Sequence, residues 1–280
     1  MTEMFIDSHH HLWKYNESEY GWIDGSMQVL KRDYLPEELE QEISGAGVTG
    51  TVAVQARQNI RETRWLLELA EAFPFIKGVV GWVDLRSEDL RRQLETHAGH
   101  PKLVGVRHVI HDEPDDDFML QDDFLRGISL LAEYDLAYDL LVFPRHLDRA
   151  LELTGRFPGQ RFVLDHLAKP PIRSKSLQPW KGRIRELAGQ PNVWCKISGM
   201  VTEADHKRWK YKDLVPYMET AYDAFGSGRI LLGSDWPVCR LAGEYREVMQ
   251  IPLNYLESVG EGERSQILFS NAAECYKLIL

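Results

Sequence analysis

Eight short apolar runs recur along this chain, each followed by a longer polar or amphipathic stretch, and that alternation constrains the fold more than any other feature. The runs are "MFIDSHH", "TGTVAVQA", "IKGVVGWVDL", "LVGVRHVI", "AYDLLVF", "RFVLDHLA", "NVWCKISG" and "RILLGSDW". Between them, segments such as "PEELEQEISGAG", "ETRWLLELAEAF" and "FLRGISLLAEY" repeat apolar residues at helical spacing. Several runs are apolar on both faces, as strands of a parallel sheet covered on both sides must be. Eight such units in succession predict an α/β fold, a (β/α)8 barrel that is slightly distorted and carries an extra C-terminal helix. The 280 residues suit that barrel, 44% of them are apolar and supply its core, and no linker or charge block divides residues 1–280, which read as one domain. A doubly wound open sheet is the competing arrangement, but no Gly-rich phosphate loop follows the first strand.

Loop lengths point to the working face. Helix-to-strand connections are short and punctuated by Gly or Pro ("GAGVTG", "FPFIKG", "RFPGQR", "GQPNV", "FGSGR"). Strand-to-helix connections are often long: Leu12 to Leu35, His111 to Gln121, Lys169 to Gln178 and Met200 to Lys212. Barrels carry their chemistry where strands hand over to helices, so the polar residues gathered at those strand ends are the candidates.

The first of them is a histidine triplet in "IDSHHHLW". Apolar residues on both sides mark it as the end of a buried strand rather than a purification tag. Alternate strand residues share a face, so Asp7, His9 and His11 point one way and His10 the other. A His-x-His pair alone serves structural roles as readily as ligand roles. In "RFVLDHLAKP", Phe162, Leu164 and His166 share a face, and in "RILLGSDWPV" so do Leu231, Gly233 and Asp235. His9, His11, His166 and Asp235 meeting at one mouth form a suitable set of zinc ligands, and Asp235 suits a general base equally well.

Long ordered blocks then make the sequence recognisable: "IDSHHHLW", "GVRHVIHDEPDDDF", "YDLLVFPRHL", "VLDHLAKPPI", "NVWCKISGMVTEADHKRW" and "LLGSDWPVC". In order they resemble the sugar-lactonase branch of the amidohydrolase superfamily, the fuconolactonase- and rhamnonolactonase-like proteins. The resemblance runs from Phe5 to the terminal "SNAAECYKL". It implies a barrel that activates water, with His9 and His11 as the first-strand pair, His166 as the later histidine, and Asp235 accepting a proton from the attacking water. Two-metal members carry a bridging carboxylated lysine or glutamate in mid-barrel, whereas this chain offers Arg107 and His108 on the fourth strand and Asp139 on the fifth. One divalent metal, zinc, or none is therefore the expectation, with no organic cofactor.

Without a metal, the oxyanion of an opening lactone needs fixed donors, for which Arg107, His108 and Lys196 are the candidates. Arg107 in an ion pair outside the barrel is the bland alternative. Substrate contacts are expected from Trp13, Lys196, Asp139, His111, Glu113 and Trp236, with Tyr20 and Trp22 in the long first loop as further wall candidates. In "HDEPDDDF", Asp112 or Glu113 is the carboxylate expected to bind hydroxyls, and Glu203 and His206 are weaker candidates. Aromatic faces suit the C–H faces of a sugar, though loop aromatics also simply pack loops. The expected reaction is hydrolysis of a neutral sugar-acid lactone to its aldonate. The alternative is a zinc-dependent nonoxidative decarboxylase on the same scaffold.

Charge narrows the partners. With 33 basic and 43 acidic side chains, the net charge of −10 disfavours nucleic acid. No apolar stretch approaches a membrane span, and no basic region followed by an apolar core opens the sequence. Three widely spaced cysteines, Cys195, Cys239 and Cys275, suit reduced thiols, so a cytoplasmic protein is expected. Self-association into a homo-oligomer stays open.

Overall fold

The computed structural model describes residues 4–280. Eight parallel strands follow one another in sheet order β1 to β8: Ile6–His10, Gly50–Val54, Ile76–Gly81, Leu103–His108, Ala137–Leu140, Phe162–Leu164, Val193–Ile197 and Ile230–Leu232. Each expected apolar run contains one of them. Helices α1 (Pro36–Ser44), α2 (Ile60–Ala72), α3 (Leu90–His97), α4 (Asp122–Leu131), α5 (Leu147–Arg156), α6 (Trp180–Ala188), α7 (Tyr211–Phe225) and α8 (Tyr245–Leu256) follow the strands in turn. The result is a (β/α)8 barrel, closed between its first and last strands by a few specific bonds. Ser8 Oγ donates to the Leu232 carbonyl at 2.5 Å, Asp235 N to the His9 carbonyl at 2.8 Å, and His11 N to the Trp236 carbonyl at 2.6 Å.

Two apolar layers hold this together. The outer one fills the space between strands and helices. The inner one lines the lower barrel with Ile6, Val52, Val54, Val80, Val104, Val163 and Leu231. Beyond α8 the chain runs through α9 (Glu261–Ser265), a π-helical turn (Gln266–Ser270) and α10 (Asn271–Cys275). The extra C-terminal helix thus arrives in pieces, and Ala272, Cys275, Tyr276 and Leu278 plug the barrel floor against the inner valines. Burying that apolar surface is what fixes the end of the chain. Among the described residues, no helix is long and apolar enough to cross a membrane.

Local chemistry sets the element starts. Pro36 opens α1, where its missing N–H costs nothing, and Asn59 caps α2 by accepting from Arg61 N at 2.9 Å. Glu62, buried in the first turn of α2, accepts from Ala56 N and Arg57 N at 2.9 and 2.8 Å, pinning the loop after β2. With the lower barrel apolar, the polar residues of the strand ends face upward into the loops.

Candidate active site

The imidazoles of β1 reach the mouth by an irregularity. Ile6 points into the barrel, so strict alternation would aim Ser8 and His10 inward too. Instead the β1–β2 register shifts between Asp7 and His10. The bulge turns His9 inward and leaves His10 bonded to Thr51 Oγ1 at 3.0 Å. It also separates Asp7 from the pair it was expected to join. Asp7 accepts from Ser234 N at 2.9 Å and from Tyr245 Oη of α8 at 3.0 Å.

His166 arrives differently from the expected strand pattern. On β6 it is Val163 that faces inward, while Phe162 and Leu164 pack outward. After Leu164 four consecutive residues, His166 to Lys169, adopt φ between +51° and +58°. Left-handed geometry costs on the order of 1–2 kcal/mol per non-glycine residue, so the turn persists only because its surroundings hold it. Trp180 Nε1 donates to the Leu167 carbonyl at 2.7 Å, and Lys169 N to the His166 carbonyl at 2.7 Å. The turn swings His166 over the barrel mouth. Gly199, at φ +59°, makes room: a Cβ there would lie 2.6 Å from His166 Nδ1. A Cβ on Gly233 would lie 2.6 Å from the Cβ of His9.

The four groups converge. His9 Nε2 lies 3.3 Å from His11 Nε2 and 3.9 Å from Asp235 Oδ1. His11 Nε2 is 3.4 Å, and His166 Nε2 3.8 Å, from the same oxygen. Behind them, each Nδ1 has its own partner. His11 Nδ1 donates to the Val54 carbonyl at 2.8 Å, and His166 Nδ1 pairs with Ser198 Oγ at 2.8 Å. His9 Nδ1 faces Asp165 Oδ1 at 3.3 Å, while the Arg107 guanidinium, which can only donate, approaches its Nε2 at 3.4 Å. Lys196 Nζ, a second pure donor, lies 3.2 Å from Nδ1, so His9 is flanked by a cation at each ring nitrogen. The Nε2 atoms of His9 and His11 and Oδ1 of Asp235 thus face one another, and His11, whose Nδ1 donates to Val54, offers a lone pair there. Burial pushes His166 down to about 3 and His9 well below its ordinary value, so both rings are neutral near pH 7. Burial would raise Asp235, but His166, His11 and Lys169 outweigh it and hold its carboxyl below the usual value.

Below this mouth lies a layer of buried charges. Lys196 Nζ contacts Asp139 Oδ2 at 2.5 Å, Asp165 Oδ1 at 3.0 Å and His9 Nδ1 at 3.2 Å. Arg107 donates to Asp165 Oδ2 at 3.0 Å and to the Gln55 carbonyl at 2.5 Å. Two cations and two carboxylates balance in an interior that would tolerate none of them singly. Burial raises Asp139 to about 6, with Lys196 opposing. Asp165 stays far below its usual range despite burial, because Lys196 and His9 face it. Asp165 was not among the candidates read from the sequence.

Above the mouth opens a cavity of about 520 Å³, lined on one side by His11, Arg107, His166, Lys169 and Asp235 and on the other by Trp22, Met27, Val109, Leu141, Val238 and Leu241. Residues 6–278 match the family described as amidohydrolase. The chain belongs to that family. An L-fucono-1,5-lactonase from Burkholderia multivorans is 40% identical over 289 residues, covering 99% of this chain and 97% of that one. A solved amidohydrolase structure from Burkholderia multivorans with bound zinc superposes with a TM-score of 0.95 at 40% identity, covering 99% of this chain and all of that one. A 2,6-dihydroxybenzoate decarboxylase shares the fold alone, with a TM-score of 0.68 at 15% identity over 99% of this chain.

In this amidohydrolase several expected contacts lie elsewhere. Of the fourth-strand pair, Arg107 lines the cavity. His108 faces away, stacked on Phe118 at 4.8 Å and bonded to Glu113 at 2.7 Å, because neighbouring residues of a strand face opposite sides. Glu113 is spent on that bond and does not line the cavity either. Trp13 and Trp236 are fully buried: Trp13 donates to the Arg32 carbonyl, and both pack edge-on against Tyr34. They support the loop floor and leave Trp22 as the indole in the cavity lining. Lys196 and Asp139 are sealed beneath the histidines, since each needs the other's charge in the dry interior. His111 does line the cavity, as do Asp112, Glu203 and His206.

Proposed function

We propose that this chain hydrolyses the lactone of a neutral sugar acid to its aldonate, with Asp235 as general base. The observation that carries the reading is the cluster of facing ligand atoms on His9, His11 and Asp235, at the head of a cavity in a chain 40% identical to an L-fucono-1,5-lactonase.

That donor set fits one divalent metal ion. His9 Nε2 and Asp235 Oδ1 lie 3.3 and 3.4 Å from His11 Nε2, and the edge of a tetrahedron with zinc bonds of about 2.0–2.1 Å is roughly 3.3–3.4 Å. The Nδ1 contacts of His9, His11 and His166 are the outer partners that orient such ligands. A second donor group, His9, Asp165 and His166, fits less well, because Lys196 and Arg107 already hold Asp165. His9, His11 and Asp235, joined by His166, would hold the ion. When bound, it supplies Lewis acidity and a more acidic water.

The chain's own residues do the rest. The Asp235 carboxylate takes a proton from the water that attacks the carbonyl carbon, and its depressed proton affinity keeps it ionised for that purpose. Arg107, fixed by Asp165 and the Gln55 carbonyl, offers a donor to the oxyanion as it forms. The C–O ring bond then breaks, the ring oxygen gains a proton, and the new carboxylic acid loses one to solvent. Substrate neutrality follows from pairing. Each cation of the cavity has a carboxylate already: Arg57 with Glu19, Lys169 with Glu203 at 2.8 Å, and Arg107 with Asp165. None is left over for a substrate dicarboxylate.

The test is proton release on a panel of sugar lactones, L-fucono-1,5-lactone and L-rhamnono-γ-lactone included, for the parent and Asp235→Asn. Turnover by the parent and a loss of at least about 100-fold in kcat for the variant support the reading. Near-parental kcat in the variant removes Asp235 as the base, and no turnover of any lactone removes the function.

A further inference from the structure

The C-terminal turn touches the buried charge layer from below. Tyr276, which ends α10, is 1% exposed, and its hydroxyl lies 2.8 Å from both carboxylate oxygens of Asp139. Its ring also faces the Lys196 ammonium, 5.3 Å from Nζ to the centroid. Arg161 secures this turn by donating to the Cys275 carbonyl at 2.8 Å, and Leu278 packs beside Val104 on the floor. A continuous chain of contacts therefore runs from the end of the polypeptide to the reacting centre: Tyr276, Asp139, Lys196, then Asp165 and His9.

We propose that Tyr276 is a positioning residue for the reaction, holding Asp139 so that Lys196 stays between two carboxylates and His9 keeps its orientation. The argument is one of competing partners. Lys196 has three neighbours, and the geometry around Asp165 depends on how strongly Asp139 draws the ammonium away. The Tyr276 hydroxyl fixes the Asp139 carboxylate in the plane that meets Nζ. Without it, Asp139 Oδ1 loses the one donor it has among the described residues, in a dry interior. The carboxylate then turns, Lys196 leans on Asp165 alone, and Asp165 releases His9 Nδ1. None of these residues but Asp165's partner Arg107 lines the cavity, so substrate binding stays as it was.

For its kinetic arm the proposal rests on the lactonase reading; its metal arm does not. Tyr276→Phe keeps the ring, its burial and its contact with Lys196, and removes only the hydroxyl. The expected result is a loss of about tenfold in kcat, with KM for L-fucono-1,5-lactone within twofold, and a loss of about tenfold in zinc affinity measured by chelator competition. Asp139→Asn, which also leaves a buried positive charge in excess, should lose more, and adding Tyr276→Phe to it should cost nothing further, since the hydroxyl acts only through Asp139. Zinc affinity and kcat both within twofold of the parent in Tyr276→Phe overturn the proposal, as do additive losses in the double variant. If the parent turns over no lactone, the zinc measurement still decides. If Tyr276→Phe fails to fold, Asp139→Asn takes its place: zinc affinity and kcat both within twofold of the parent in that variant overturn the proposal.

Discussion

His9 Nδ1 lies 3.3 Å from Asp165 Oδ1, while the Nε2 of the same ring lies 3.9 Å from Asp235 Oδ1. One imidazole thus spans from a carboxylate sealed in the barrel to the one that lines the cavity. Lys196 lies 3.2 Å from the same Nδ1, so the buried ion layer holds the ring from behind and sets how Nε2 is presented to the pocket.

Replacing that partner should be costly in two separable ways. Asp165→Asn leaves Lys196 and Arg107 with Asp139 as the remaining carboxylate, one buried positive charge in excess. The stability loss is expected at about 3–5 kcal/mol, and zinc affinity should fall about 10- to 100-fold as His9 loses its orienting acceptor. Denaturant melts and chelator competition measure the two effects. A variant as stable as its parent would mean that the buried charges do not depend on Asp165.

Neighbouring residues on β4 should separate sharply. Arg107→Met removes the cavity's fixed donor and unpairs Asp165, and a kcat loss of about 100-fold or more is expected. His108→Gln disturbs Glu113, Phe118 and Phe124, on the far side of the strand, and should leave kcat within about threefold. Steady-state kinetics on both variants checks the orientation of the strand end directly. Equal losses would contradict it.

Acid should destabilise the fold through His111. Burial, with Lys169 nearby, lowers this ring to about 4, against an ordinary histidine value of 6.5. As pH falls below 6.5 the unfolded chain takes up the proton and the folded chain does not until about 4. Its contribution to stability is therefore full above 6.5 and is lost progressively across that window. The loss amounts to at most about 3 kcal/mol. His111→Gln removes this one term, so the difference in unfolding free energy between variant and parent should change between pH 7 and pH 4.5 by that amount. A difference independent of pH would show that His111 titrates alike in both states.

The strands were legible because burial on both faces leaves an unmistakable run of apolar residues, and the strand-end polar groups His9, His11 and Asp235 stood out against them. What the sequence hid was parity. The bulge at Ser8 and the left-handed turn from His166 to Lys169 both arise from closure and packing, through contacts such as Ser8 with Leu232 and Trp180 with Leu167. Neither has a local glycine to announce it. The buried charges were misread for a related reason. Asp139 and Lys196 read as substrate contacts because a charge in a barrel strand suggests a ligand, whereas the structure seals each against the other. A signal did exist. Arg107 pairs in register with Asp139 across β4 and β5, and one residue beyond the Leu164–Cys195 pair stand Asp165 and Lys196. Four charges of balanced sign at one level of a closed sheet describe a neutral layer, and Asp165 belonged to it.

Gly199 supplies the last prediction, because it tests the site's geometry without altering a charged group. The residue has φ +59°, and an added Cβ would fall 2.6 Å from His166 Nδ1, 2.8 Å from its Cγ and 3.2 Å from Asp235 Oδ2. The first two distances are shorter than carbon tolerates, so Gly199→Ala must push the His166 ring aside or shift the turn that carries it. His166 cannot retreat easily, since its turn is tied by Trp180 and its Nδ1 by Ser198. The backbone term alone costs about 1 kcal/mol for alanine at positive φ, a modest loss for a barrel of this size. Displacing a reacting group by even about 1 Å costs on the order of 100-fold in rate. The expected outcome is therefore a folded protein with a melting temperature only a few degrees lower, kcat down by about 100-fold, and zinc affinity reduced. A variant with parental kcat would mean that His166 can move freely without consequence, and would remove it from the working set.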